Sequence, residues 1–138
     1  MSASFQQKTR WWMFASLALA FGLYFAMVWP VRAPQVLPAH IVLFVAMVVL
    51  LVVAQVLGHA LIAWRERHVL EDERDRLYAL RGARNGGLVL ATAVFAALCT
   101  ALLSEGNFLF THVLLAGWVI AQLTEIGTQL LLHHQAGR

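Results

Sequence analysis

The sequence predicts an all-α fold, an integral membrane four-helix up-down bundle with both termini in the cytoplasm. Of its 138 residues, 61% are hydrophobic and only 12% are charged, whereas charged residues make up roughly 25% of an ordinary soluble domain. The apolar residues fall into four long stretches, and most charges fall into one segment, residues 65–84. The length allows one domain and no more.

The four apolar segments are residues 11–31, 38–64, 86–103 and 108–132. About 20 apolar residues cross a hydrocarbon core roughly 30 Å thick. Backbone polar groups in lipid must be hydrogen-bonded within the chain, so each segment is predicted to be an α-helix. Pro30, Pro34 and Pro38 separate the first two segments, and residues 104–107 (SEGN) predict a tight turn between the last two. Such short connections favour antiparallel neighbours.

The distribution of basic residues predicts the orientation of the chain in the membrane. The 65–84 segment holds six of the ten Lys/Arg and five of the seven Asp/Glu. It lies on the same side as Lys8, Arg10 and Arg138, whereas Arg32 lies alone on the other side. The positive-inside rule therefore places both termini and this segment in the cytoplasm. A further set of residues at segment ends is predicted to anchor the helices at the interface: Trp11, Trp12, Trp29 and Trp64.

The charged segment 65–84 is itself predicted to be helical, because it has no proline and its only glycine, Gly82, lies near its end. We expect the second helix to continue into the cytoplasm through Leu80. Gly82 and residues 85–87 (NGG) are then expected to supply the turn into the third helix.

Several function classes are disfavoured. The pI of about 9.8 accompanies a net charge of only +3, and the basic residues flank membrane segments, which indicates topology rather than direct nucleic-acid binding. The sequence has no HExxH, CxxC or phosphate-loop motif and no supported Ser-His-Asp set, so it predicts neither an enzyme nor a cofactor. His133 and His134 are adjacent and would point about 100° apart on a helix, which predicts no metal site.

Glu125 is the ionisable residue that the sequence places inside the membrane, and such residues are functional candidates. We expect it roughly 12 Å from the cytoplasmic end of its helix. Gln122 and Gln129 share its stripe, which should face protein, and Gln55 and His59 share a face of the second helix. These five residues predict either a proton- or cation-binding site or interhelical hydrogen bonds that set register or join two copies.

Histidines at one depth on facing helices allow a less favoured interpretation, haem b binding. His40 and His112 each lie a few residues inside the end of a helix remote from the termini. The sequence leaves open whether the two side chains face each other.

The charged segment reads EDERDRL over residues 71–77 and LRGAR over residues 80–84. It resembles a group of uncharacterised small bacterial membrane proteins with such a loop between helices two and three. Many of these are similar to products encoded beside small helix-turn-helix regulators. The resemblance implies a four-helix protein of the bacterial inner membrane in a regulatory context, and it implies no reaction. Tyr78 departs from the aliphatic residue expected there.

We therefore predict a non-enzymatic, homo-oligomeric membrane component that acts in partner binding or regulation by contacting a cytoplasmic protein. The residues expected to make that contact are Arg74, Asp75, Arg76 and Arg81. The plainer interpretation of these charges is a solvated helix with intrahelical pairs. The alternative function is a small homo-oligomeric proton- or cation-coupled transporter that uses Glu125.

Overall fold

The computed structural model describes residues 5–65 and 73–136, and these residues form four α-helices. The helices are α1 (Phe5–Val28), α2 (Pro38–Arg65), α3 (Glu73–Leu103) and α4 (Phe108–Ala136), and a short 3-10 helix (Trp29–Val31) extends α1. All four α-helices are long and apolar enough to cross a membrane. The predicted all-α, four-helix membrane fold is confirmed.

Backbone contacts join α2 to α1, α1 to α4, and α4 to α3, so α2 and α3 stand at the two ends of the packing order. The main core lies between α1 and α4. From α1 it takes residues spaced four, three and four apart, a spacing that keeps them on one face. The buried core residues are Leu17, Phe21, Tyr24, Val28, Phe108, Val119, Ile126 and Leu130.

Helix α3 begins at Glu73, and not near Gly86 as the sequence analysis predicted. The turn expected at Gly82 and residues 85–87 lies inside α3, and residues 73–80 belong to α3 rather than to an extension of α2. Glycine costs a helix about 1 kcal/mol per residue, but here Gly82 and Gly86 are buried against α4. Close packing offsets the helix penalty. Residues 66–72 of the predicted charged segment lie outside the described residues.

Contacts between side chains and glycines set the relative level of three helices. The Trp12 ring of α1 lies beside Gly58 of α2, and the Phe14 ring of α1 lies beside Gly127 of α4. The tryptophans predicted as anchors are all exposed.

Candidate functional site

A polar cluster fastens the start of α3 to α1 and α4. Asp75 Oδ1 lies 2.9 Å from His133 Nε2, and both side chains are only about 15% exposed. Arg10 of α1 donates from Nη1 to the same His133 nitrogen, and its Nη2 donates to Gln6 Oε1 at 3.2 Å. The Tyr78 ring packs edge-on against His133, with 4.8 Å between ring centroids. Three helix ends therefore meet in one network.

The proton on His133 decides which partner it bonds. A neutral imidazole with its proton on Nδ1 accepts the Arg10 hydrogen at Nε2, whereas the neutral Nε2–H tautomer and the imidazolium both donate Nε2–H to the Asp75 carboxylate. One nitrogen cannot make both hydrogen bonds in one protonation state. In the neutral state, Arg10 and Asp75 still attract each other. In the protonated state, Asp75 attracts the imidazolium and Arg10 repels it.

The structure divides the four residues predicted to contact a partner. Arg74, Arg76 and Arg81 have exposed side chains, whereas Asp75 is directed toward His133. Asp75 is therefore occupied in holding α3 in place, and the three arginines remain at the surface.

The outer face of α3 combines basic and apolar side chains. Leu77 is 56% exposed and Leu80 is 61% exposed, and Arg81 and Arg84 are exposed beside them. Leu77 and Arg84 are seven residues apart, which is two helical turns, on the side opposite Gly82. Arg84 is not among the residues predicted to contact the partner, although its spacing from Leu77 and Arg81 is visible in the sequence. We call Leu77, Leu80, Arg81 and Arg84 the α3 docking face.

Small residues bring α3 and α4 close together below this face. A Cβ on Gly82 would lie 2.6 Å from the Glu125 carbonyl oxygen, and one on Gly86 would lie 2.9 Å from the Ala121 carbonyl oxygen. Gly82 and Gly86 form a GxxxG pattern, which permits such close helix packing. The same glycines were predicted to form a turn, so the GxxxG pattern was not among the sequence-based predictions.

The predicted polar stripe of α4 faces α3. Gln129 is 8% exposed, with its side chain beside Gly82, and the Glu125 side chain lies beside Gly86. Asn85 Nδ2 donates to Thr128 Oγ1 at 3.2 Å in the same interface. Gln129 is thus buried within one chain, so its burial requires no second copy. Gln122 is partly buried.

Glu125 lies in a longer helix than the sequence predicted, because α4 extends from Phe108 to Ala136. Its depth in the membrane stays a prediction.

Gln55 and His59 belong to a different interface. Gln55 Nε2 donates to Ser16 Oγ of α1 at 2.7 Å, and His59 Nδ1–H donates to the Gln55 carbonyl at 2.8 Å. At this level α2 has no backbone contact with α4, because α1 packs against both. The structure does not bring Gln55 and His59 to Glu125. The transport role of Glu125 stays a prediction.

His40 and His112 do face each other, with ring centroids 6.0 Å apart and planes at 86°. Each ring nitrogen is already hydrogen-bonded. His112 Nδ1–H donates to the Phe108 carbonyl at 2.8 Å, and its Nε2 lies 3.0 Å from the Tyr24 hydroxyl. His40 Nε2–H donates to the Val31 carbonyl, and its Nδ1 accepts from the Leu37 amide, both at 3.2 Å. These partners leave no nitrogen for haem iron, so this arrangement does not fit bis-histidine ligation.

Because the His112 Nδ1–H bonds the Phe108 carbonyl, Nε2 of the neutral ring accepts a hydrogen bond from Tyr24. We expect Tyr24→Phe to lower the free energy of unfolding by about 1–3 kcal/mol, because a buried acceptor loses its partner. Thermal unfolding in detergent measures this effect. Tyr78→Phe is the matched control, since the Tyr78 hydroxyl has no hydrogen bond to a described residue. Equal unfolding temperatures for the two variants would contradict the assignment.

Within residues 5–65 and 73–136, no group of three or more His, Cys, Asp or Glu side chains could hold a metal ion. Comparisons of the chain with protein families, with curated proteins and with solved structures found no match.

Proposed function

We propose that this protein is a small multi-pass membrane component that binds an acidic cytoplasmic protein through the α3 docking face. The observation that carries the proposal is the fixed position of that face. The Asp75–His133 contact and the close packing at Gly82 hold one side of α3. The opposite side presents two exposed leucines and two exposed arginines.

A face held in one conformation favours binding because little conformational freedom is lost when the partner arrives. Arginine also suits this task, since its guanidinium forms bidentate hydrogen bonds with carboxylates. No ion pair joins Arg81 or Arg84 to a described residue, so both guanidinium groups are available. A partner of matching chemistry would present carboxylates around an apolar stripe that covers Leu77 and Leu80.

The cytoplasmic location follows from the positive-inside rule, and the bacterial inner membrane follows from the resemblance of the charged segment. The regulatory role rests on that resemblance too. A homo-oligomer remains part of the proposal, although the burial of Gln129 within one chain removes one reason for it.

A photo-crosslinking residue at Leu80, in the intact protein in its own membrane, tests the proposal. We expect an acidic protein to be crosslinked at Leu80. The double substitution Arg81→Glu and Arg84→Glu should reduce crosslinking at least about tenfold, because like charges facing each other cost several kcal/mol.

Two controls make this test specific. Arg32→Glu changes a basic residue at the opposite end of the helices and should leave crosslinking unchanged. A crosslinker at Tyr78, whose ring packs on His133, should give much less product. Undiminished crosslinking in the Arg81/Arg84 variant would contradict the proposal. Crosslinking to a second copy alone would replace the protein partner with self-association.

A further inference from the structure

At the end of the helices remote from the termini, two connections form a preorganised cavity. The Phe108 amide donates to the Pro34 carbonyl at 3.2 Å, and the Val36 amide donates to Asn107 Oδ1 at 2.8 Å. Gly106 has φ +80°, and a Cβ there would collide with Pro34. The α1–α2 connection and the α3–α4 turn are therefore fixed against each other.

The cavity has a volume of about 480 Å³ and carries one charge of each sign. Its apolar wall includes Trp29, Pro34 and Phe108, and its polar residues are Arg32, Ser104 and Glu105. The Arg32 guanidinium lies 5.4 Å from the centre of the Trp29 ring. No ion pair joins Arg32 to Glu105 or to another described residue. The two charges therefore line one space without neutralising each other by direct contact.

The residues around the cavity indicate that it lies at the level of the lipid headgroups. Trp29 follows the end of α1 directly, and tryptophan rings favour the level of the headgroups. Leu102 and Leu103, which precede Ser104, are 85% and 87% exposed. A molecule in the cavity thus has one charge of each sign beside it, and the exposed Leu109 of α4 lines the same space, which matches an amphiphile.

We propose that this cavity binds the headgroup of a zwitterionic phospholipid with a primary amine, as in phosphatidylethanolamine. Arg32 faces the phosphate, Glu105 faces the ammonium group, and the acyl chains lie along the exposed leucines. Guanidinium is a strong hydrogen-bond partner for phosphate. A primary ammonium donates hydrogen bonds to the Glu105 carboxylate, whereas a choline group has no hydrogen to donate. Phosphatidylglycerol has no cation for Glu105.

Native mass spectrometry of the purified intact protein tests this site. The probes are phosphatidylethanolamine, phosphatidylcholine and phosphatidylglycerol with identical acyl chains, added singly to the protein in detergent. We expect phosphatidylethanolamine to bind about fivefold more tightly than phosphatidylglycerol, the size of one partly exposed charge interaction. Equal binding of all three lipids would overturn the proposal.

Two variants test the roles proposed for the two charged side chains. Glu105→Gln should abolish the preference for phosphatidylethanolamine over phosphatidylglycerol. Arg32→Gln should weaken the binding of both lipids. Arg65→Gln, which changes an exposed charge at the other end of the helices, is the matched control and should leave lipid binding unchanged. Since all three side chains are exposed, folding should be unaffected, and circular dichroism checks this. An unchanged preference in Glu105→Gln would overturn the assignment.

Free phosphoethanolamine distinguishes a lipid from a soluble ligand of the same chemistry. We expect it to compete only weakly, because the lipid also gains from its acyl chains on the helix surface. Binding of free phosphoethanolamine as tight as that of the whole lipid would overturn the assignment to a phospholipid.

Discussion

Gly82→Leu is expected to separate α3 from α4 and to cause the largest loss of stability of any single substitution considered. A Cβ at this position would meet the Glu125 carbonyl oxygen at 2.6 Å, and the Gln129 side chain lies only slightly farther away. Overpacking ordinarily costs about 1–3 kcal/mol. Here the obstructing atom belongs to the backbone of α4, so we expect a loss of about 3 kcal/mol or more.

Gly87→Leu is the matched control, because it lies in the same helix and nothing is within 4 Å of its Cβ position. Leucine has a better helix propensity than glycine by about 1 kcal/mol, so this variant should be as stable as the original protein or more stable. The comparison therefore separates helix packing from helix propensity.

Cys99 provides the measurement for both variants. It is the only cysteine in the chain and is partly buried in α3. A thiol-reactive fluorophore should label it at a lower temperature in Gly82→Leu than in Gly87→Leu. If both variants became labelled at the same temperature, the close packing at Gly82 would not control the stability of the α3–α4 pair.

Asp75→Asn is expected to release the start of α3 from α1 and α4 while leaving the membrane spans folded. The substitution keeps the size of the side chain but removes the carboxylate that lies 2.9 Å from His133 Nε2. A hydrogen bond to a charged group contributes about 1.5–3 kcal/mol, and partial solvent exposure puts this contact at the lower end. Amide hydrogen exchange over residues 73–80 should therefore become about tenfold faster.

Glu73→Gln is the control for that experiment. Glu73 is exposed and lies in the same first turn of α3, so its removal causes the same loss of interaction with the helix dipole. It should change the exchange rate over residues 73–80 by much less. Unaltered exchange in Asp75→Asn would show that the polar cluster does not hold α3 in place.

The glycines of α3 show where sequence reasoning misled. Asn-Gly-Gly at residues 85–87 is a turn signal in an isolated chain, and the predicted third helix consequently began too late. A helix that packs closely on α4 compensates for the poor propensity of Gly82 and Gly86. The GxxxG spacing was present in the sequence. Only the position of α4 shows that these glycines lie inside a helix and pack against α4, and that they do not form a turn.

The polar residues of α2 and α4 are a second case in which the sequence predicted the arrangement only in part. Helical periodicity correctly grouped Glu125 and Gln129 on one face of α4, because that grouping depends only on positions along one helix. It also grouped Gln55 with His59 on α2. Joining the two groups required α2 to pack on α4 at their level, and α1 packs between them instead.

The sequence by itself determined the four spanning helices and the concentration of charge at one end. These features follow from hydrophobicity and from backbone hydrogen bonding in lipid, and each is a local property of a segment. Only the tertiary structure decided that Asp75 is directed toward His133, that α3 presents Leu77 and Arg84 outward, and that Arg32 shares a cavity with Glu105. Those outcomes depend on which helices are neighbours and how they are rotated, and residues far apart in the chain fix both by packing.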